Sequence, residues 1–199
     1  KKNYKCERFI YISSSMVYGD FQKNTVNENS AKNPKDIYGI MKLAGEVVTE
    51  GVCKLKKIPY TIIRPSAVYG PTDMNRRVSQ IFIENAFTNK EIVIEGKNEK
   101  LDFTFIEDLA KGCILAGTKK QGINQVFNIT YGKGQTLYSY VLNLKKLFPN
   151  LNYKIKPRDK TKPSRGTLSI NKAKKLLGFK PEYNLKKGIK KYFNFLIKI

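Results

Sequence analysis

The chain has 199 residues, of which 41% are hydrophobic and 27% charged; these are the proportions of a globular domain and exclude a disordered tail, a collagen repeat or a disulfide-scaffold toxin. Lys and Arg number 38 against 16 Asp and Glu, a formal net charge of +22, but the surplus is nearly all Lys, whereas readers of nucleic acid favour Arg, so a Lys-rich solvated surface is expected and a nucleic-acid partner is not. There is no His, and Cys6, Cys53 and Cys113 are widely spaced with no C-x-x-C, which excludes a Cys/His zinc site and any His-dependent catalytic triad.

Residues 8–13 (RFIYIS) are apolar and β-rich, as a buried strand is. A polar loop follows. Residues 36–57 read as a helix, with Ile40, Leu43, Ala44, Val47 and Val48 at i, i+3, i+4 spacing marking the face expected to meet the core. Pro59 closes that helix, and residues 60–64 (YTIIR) are a second buried strand. Residues 76–90 read as a helix, residues 91–95 and 102–106 as short strands, and residues 107–118 as a helix that Glu107 and Asp108 cap. Residues 125–130 (QVFNIT) are a strand and residues 136–148 a helix. The last third holds an extended piece near residues 153–156 and helices from Asn171 and from Leu185. It carries 15 Lys and 2 Arg from Lys145 onward, against Asp159 and Glu182. Strands alternating with helices over short connections specify an α/β fold on a parallel sheet.

No apolar run approaches the ~18–20 residues of a membrane helix, and no signal-like stretch opens the chain. The three thiols are expected as small buried hydrophobes in a reducing cytoplasm. The first residue is Lys1 rather than Met, so the chain is expected to be cut from something longer.

The chemistry gathers in the first third. Ser13, Ser14 and Ser15 follow directly on the first strand, at the edge where open parallel sheets bind ligands. Tyr38 and Lys42 stand at i and i+4 and share one helix face. A free phenol titrates near ~10, too high for a base at neutral pH, but a neighbouring cation favours the phenolate. The spacing Y-x-x-x-K is weak alone: chance gives about two matches in a chain this rich in Lys, and Tyr183 with Lys187 forms a second. Tyr38 differs in context, opening an amphipathic helix after a strand that ends in serines.

That context carries a resemblance. The run ISSSMVYG at residues 12–19, then Asn33-Pro34 and Tyr38-x-x-x-Lys42, resembles the extended short-chain dehydrogenases/reductases, the NAD-dependent nucleotide-sugar epimerase/dehydratase family. RPSAVYGP at residues 64–71 looks like that family's strand and loop beside the nicotinamide. DFTFIEDLA at residues 102–110, with Asp108 as the matching acid, and NKAKKLLGFKP at residues 171–181 look like two further segments in the right order. The likeness runs from residue 8 to about residue 190.

The resemblance implies an NAD(P)-binding Rossmann-like parallel sheet with a smaller C-terminal α/β substrate lobe. The sheet would be incomplete, its first βα units missing, because the family's glycine-rich β–turn–α has no counterpart before Arg8. Gly132-Lys-Gly134 lacks the third glycine and reads as an ordinary loop. Residues 1–70 would then be the C-terminal part of the Rossmann-like catalytic domain. Residues 71–199 would be mainly substrate lobe, with strand 125–130 returning to the main sheet.

Residue by residue, the resemblance makes Tyr38 the catalytic base, Lys42 its activating cation and ribose ligand, and Ser14 the catalytic hydroxyl. Ser13 and Pro65 would lie with Tyr38 and Lys42 beside NAD or NADP. Ser14, Arg76, Arg77, Arg158 and Arg165 would bind a nucleotide sugar, with Arg76 and Arg77 opening a helix so that dipole and guanidinium act together on its diphosphate. Family dehydratases carry Asp-Glu directly after the catalytic Thr; here those positions are Ser15 and Met16, and Met moves no proton. An epimerase-type reaction is therefore expected. A reductase or dehydrogenase, a dehydratase of the same family, and a non-catalytic basic binding module are the alternatives. Ala67 and Leu101 stand where uridine-sugar epimerases carry Asn and Arg. A homodimer through the Tyr-bearing helix is the partner the resemblance suggests, beside the nucleotide sugar and with no membrane.

Overall fold

The computed structural model describes residues 6–198. In chain order the elements are β1 (Phe9–Ile12), β2 (Thr25–Val26), α1 (Ile37–Leu55), β3 (Tyr60–Arg64), β4 (Val68–Tyr69), α2 (Val78–Phe87), β5 (Ile92–Glu95), β6 (Lys100–Leu101), β7 (Thr104–Phe105), α3 (Ile106–Thr118), β8 (Gln125–Asn128), β9 (Gln135–Thr136), α4 (Leu137–Lys145), β10 (Tyr153–Lys156), β11 (Thr167–Leu168), α5 (Asn171–Leu177) and α6 (Leu185–Leu196).

The central sheet has the order β1-β3-β8, and both pairings are parallel. Side chains alternate across it, as the two-residue period of a strand requires. Ile62 faces α1 in a cluster with Cys53, Tyr60 and the partly buried Tyr11. Ile63 faces the other way, onto a core with Ala116 of α3, Phe127 of β8 and Leu177 of α5. This is the α/β fold expected of the sequence. A second core of Tyr69, Phe82, Ile83, Ile92, Ile94, Phe105, Tyr140 and Ile189 holds α2, α4 and α6 around the parallel pair β5 and β10.

Three local expectations are corrected. β3 is buried along its whole length, but Phe9, Ile10 and Ile12 of β1 are exposed, because β1 pairs with β3 alone among the described residues. The apolar stripe of α1 also points outward: Ile40, Val47 and Val48 are exposed, and the buried positions of the helix are Gly39, Glu46, Thr49 and Cys53. The sheet-facing ridge is polar because it serves the site rather than the core. Glu107 and Asp108 do not cap α3, which begins at Ile106 without a side-chain cap. Asp108 instead accepts the backbone N–H groups of Glu182 and Tyr183 at 2.8 and 2.9 Å, and Glu107 pairs with Lys191 and accepts the Tyr183 hydroxyl. These carboxylates fasten the segment before α6 onto α3. They also place Tyr183, the second Y-x-x-x-K tyrosine, in a structural tie.

The thiols differ from one another: Cys53 is buried, Cys113 half-buried and Cys6 exposed. No helix among the described residues is long and apolar enough to cross a membrane.

Candidate active site

The C-terminal ends of β1 and β3 open into a cleft of about 840 Å³, the size of a small-molecule site. Ser14 is brought there by the strand end and by a 3-10 turn, Ser15–Tyr18, that begins at once. Its Oγ accepts the N–H of Met16 at 3.1 Å. The hydroxyl thus caps the turn and keeps its own proton free to donate into the cleft. Gly19 lets the chain reverse after that turn: its φ is 64°, and a Cβ would meet the Asn33 carbonyl oxygen at 1.8 Å.

Tyr38 lies in the first turn of α1. Asp36 caps the helix by accepting the Gly39 N–H at 2.7 Å. Gly39 lets the helix start close against the turn, since a Cβ there would meet the Met16 carbonyl oxygen at 2.7 Å. The Tyr38 side chain is exposed to the cleft, and one turn on, Lys42 donates from Nζ to the Ile12 carbonyl at 2.8 Å. Its ammonium lies 5.7 Å from the centre of the Tyr38 ring. Ser14, Tyr38 and Lys42 therefore line one cleft, with a cation beside the phenol and a hydroxyl from the neighbouring strand end.

A buried polar network braces this arrangement. Glu46, one turn beyond Lys42 on the same ridge, forms a two-pronged pair with Arg64 at the end of β3, Nε to Oε1 at 2.8 Å and Nη2 to Oε2 at 2.7 Å. Both side chains are almost fully enclosed. Burial alone would press the Arg64 pKa down, but the Glu46 hydrogen bonds and the Tyr18 oxygen outweigh it and push it up, so the guanidinium stays charged. Ser13 donates from Oγ to Glu46 Oε1 at 2.5 Å. Its hydroxyl therefore faces the helix, and what Ser13 offers the cleft is its backbone edge. Arg64 also donates to Tyr18 Oη at 2.9 Å, and Tyr18 donates to Asn128 Oδ1 at 2.8 Å, reaching β8. Neither Glu46 nor Arg64 was expected from motif spacing. The available signal was an acid in step with Tyr38 and Lys42 and a lone Arg ending an apolar strand.

The four arginines also line the cleft but differ in state. α2 begins at Val78, so Arg76 and Arg77 precede it rather than open it; Arg76 takes φ 49°, which a right-handed helix excludes. Arg158 is already paired with Glu99 at 3.0 Å. Arg165 is half-buried, and its Nε has no hydrogen-bond partner among the described residues. Burial, reinforced by Arg77, presses its pKa down to about 10 against the pull of Asp36 and Glu99. A guanidinium so placed lacks a close anion.

Arg158 and Arg165 belong to a strap, residues 157–166, joining β10 to β11 as one wall of the cleft. On one side Lys162 pairs with Glu95 at 2.7 Å. On the other, the Ser164 N–H donates to Asp20 Oδ1 at 2.7 Å and the Phe21 N–H donates to the Ser164 carbonyl at 2.8 Å. The start of β11 is held by a buried carboxylate. Asp102, with no exposed surface, accepts the Leu168 N–H, the Thr130 hydroxyl and the Gly132 N–H, each at 3.1 Å. Burial outweighs these bonds and raises its pKa to about 6. Gly132 and Gly134 are the loop that these contacts fix, as the incomplete glycine pattern predicts. Ala67, opposite the strap, takes φ 38°, a conformation Asn tolerates better than Ala. Met16 lines the cleft, and Ser15 beside it is buried.

The family model described as NAD dependent epimerase/dehydratase family matches residues 1–130. The chain is 32% identical over 208 residues to a putative UDP-glucose 4-epimerase of Methanocaldococcus jannaschii, covering 98% of this chain and 65% of that protein. Among solved structures, the UDP-glucuronic acid 4-epimerase of Bacillus cereus, in complex with UDP-glucuronic acid and NAD, superposes with a TM-score of 0.90 at 28% identity, covering 99% of this chain and 63% of the other. The UDP-glucose 4-epimerase of Thermotoga maritima, with UDP-glucose, gives 0.87 at 30% identity and covers 96% and 64%. The chain thus spans a little under two thirds of the length of these relatives.

Proposed function

The chain belongs to the NAD dependent epimerase/dehydratase family, and from that premise we propose that it carries the catalytic and substrate-binding half of an NAD-dependent nucleotide-sugar epimerase. The observation that carries this reading is one cleft lined by Ser14, Tyr38 and Lys42 and also by Arg77 and Arg165, guanidinium groups that, like that of Arg76, have no carboxylate partner among the described residues. The first three suit proton transfer at a hydroxyl, and the last two suit a diphosphate, which Arg binds through charge-assisted hydrogen bonds.

Tyr38, as phenolate, takes the proton of a sugar hydroxyl. The Lys42 ammonium lies 5.7 Å from the centre of its ring. Ser14 keeps one O–H to donate to the same sugar oxygen and holds it in line with Tyr38. NAD, held beside Lys42 and Pro65, would supply the hydride acceptor and donor for the carbon bearing that oxygen. Tyr38 gives the proton back on the return step, after the sugar has turned its other face. The residues present fit the nicotinamide end of such a cofactor: Lys42 uses one of its three N–H donors on Ile12 and keeps two, beside Pro65 at the sheet's C-terminal edge. Met16 and the buried Ser15 offer no acid or base for losing water, which favours epimerisation over dehydration. UDP sugars are the first substrates to try, since those are what the relatives bind. The outward apolar face of α1, with Ile37, Ile40 and Met41 exposed, suits a homodimer contact.

The test is calorimetric titration of the full chain with UDP-glucose and UDP-glucuronic acid, followed by NMR of products from UDP-, GDP- and dTDP-sugars with NAD. Interconversion without net loss of cofactor supports an epimerase, and net cofactor turnover supports a reductase. Failure to bind any nucleotide sugar overturns the proposal.

A further inference from the structure

The ammonium of Lys42 has a second aromatic neighbour. Tyr11 of β1 points toward α1, and its ring centre lies 5.5 Å from Lys42 Nζ, nearly the same distance as the Tyr38 ring. Both distances fall within the ~6 Å over which a cation is attracted to a ring face. Tyr11 reaches this place through a gap that α1 leaves for it. A Cβ on Gly45 would lie 2.0 Å from Tyr11 Oη and 2.4 Å from its Cζ. The hydroxyl comes to rest 3.4 Å from the Lys42 carbonyl, a long contact that contributes less than the ring itself.

We propose that Tyr11 is a positioning residue: its ring, seated over Gly45, forms the back wall that holds the Lys42 ammonium against Tyr38. A lysine side chain has four rotatable carbons and little intrinsic direction. One hydrogen bond to Ile12 fixes the nitrogen's distance from the strand but not its side. A second ring within reach of the ammonium narrows that choice. Tyr11 itself stays a neutral wall, because partial burial, the Glu46 carboxylate and Tyr38 all raise its pKa. Of two phenols sharing one cation, the one on the cleft is left to give and take the proton.

The inference rests on Tyr38 being the base, and the experiment separates the two. The full chain is made with tyrosine labelled at the ring carbon bearing oxygen, and the Tyr38 signal, assigned through Tyr38→Phe, is followed by NMR from pH 7 to 11. Lys42→Met is expected to move the Tyr38 titration to higher pH. Tyr11→Leu is expected to move it the same way by about half a pH unit, as a cation displaced by a few Å at an effective dielectric of ~20 would. Tyr11→Phe, which keeps the ring, is expected to titrate with the parent. Gly45→Ala, which keeps Tyr11 but pushes it out of its gap, is expected to follow Tyr11→Leu and serves where that variant folds poorly. If Lys42→Met shifts the titration while Tyr11→Leu or Gly45→Ala leaves it in place, Tyr11 is no positioning residue and the base assignment stands. If Lys42→Met shifts nothing, the base assignment fails and the role of Tyr11 with it.

Discussion

Replacing Asp102 by Asn should change how stability responds to pH. The carboxyl is sealed from solvent, and its partners, Leu168 N–H, Thr130 O–H, Gly132 N–H and the Lys133 backbone N–H, are all neutral donors. Its folded pKa of about 6 lies above the ordinary 3.8. Above pH 6 the group is ionised in both states, and the folded protein carries the full cost of a buried charge. As pH falls below 6 the folded protein takes up the proton while the unfolded chain stays ionised, so stability rises until about pH 4. A gap of about two pH units at ~1.4 kcal/mol each gives a gain of roughly 3 kcal/mol. Asp20, Glu107 and Asp159 act in the opposite sense, since their neighbours hold their pKa values low. The growing positive charge of the chain acts against stability too. Comparing the parent with Asp102→Asn cancels both. The assay is urea unfolding followed by circular dichroism from pH 7 to pH 4 at constant ionic strength. The parent should gain on the variant by about 3 kcal/mol across that range. A difference that stays flat, or runs in the variant's favour as pH falls, would refute the placement of this carboxylate.

Breaking the enclosed pair by Arg64→Met should cost about 3–5 kcal/mol in the same unfolding assay, because Glu46 is left charged and unmatched; Glu46→Leu with Arg64→Met should recover most of the loss. Arg165→Ala should weaken binding of UDP-glucose at least about tenfold by calorimetry, the loss of a charge-assisted hydrogen bond, whereas Arg158→Ala, whose charge is already matched by Glu99, should change it less. Ala67→Asn should raise the unfolding free energy in urea, by up to about 1 kcal/mol, by relieving the left-handed backbone at that position. Tyr38→Phe should lower turnover of whichever sugar the NMR panel identifies by about 100-fold or more without unfolding the chain.

The parts of the fold that were legible are those whose periodicity is long. β3 is five residues of apolar sequence and is buried throughout, and α1 extends over 19 residues. Two-residue strands such as β4, β6 and β11 carry no period and could not be read. The inversion of α1 was hidden for a different reason. An i, i+3, i+4 stripe shows that a helix has an apolar face but not what covers it, and here the sheet-facing ridge carries Lys42 and Glu46. Tyr38, Lys42 and Ser14 were legible because a helix ridge and a strand end meet at the edge of a parallel sheet. The direction of the Ser13 hydroxyl was not, since it depends on a carboxylate 33 residues away. Asp102 looked like one polar residue in a short strand. That it has no ion-pair partner among the described residues is a tertiary fact.

The strap bearing Arg165 is fastened unequally. Toward Glu95 it is held by the Lys162–Glu95 ion pair, whose two side chains are largely exposed. Toward Asp20 it is held in part by backbone hydrogen bonds. Dissolved salt screens the first border, as the Debye length shrinks from ~10 Å at 0.1 M to ~3 Å at 1 M, and leaves the backbone bonds of the second largely intact. The segment is hung like a door, with its hinge at Asp20 and an electrostatic latch at Glu95. Brine would weaken that latch before it loosened the backbone bond between Phe21 and Ser164.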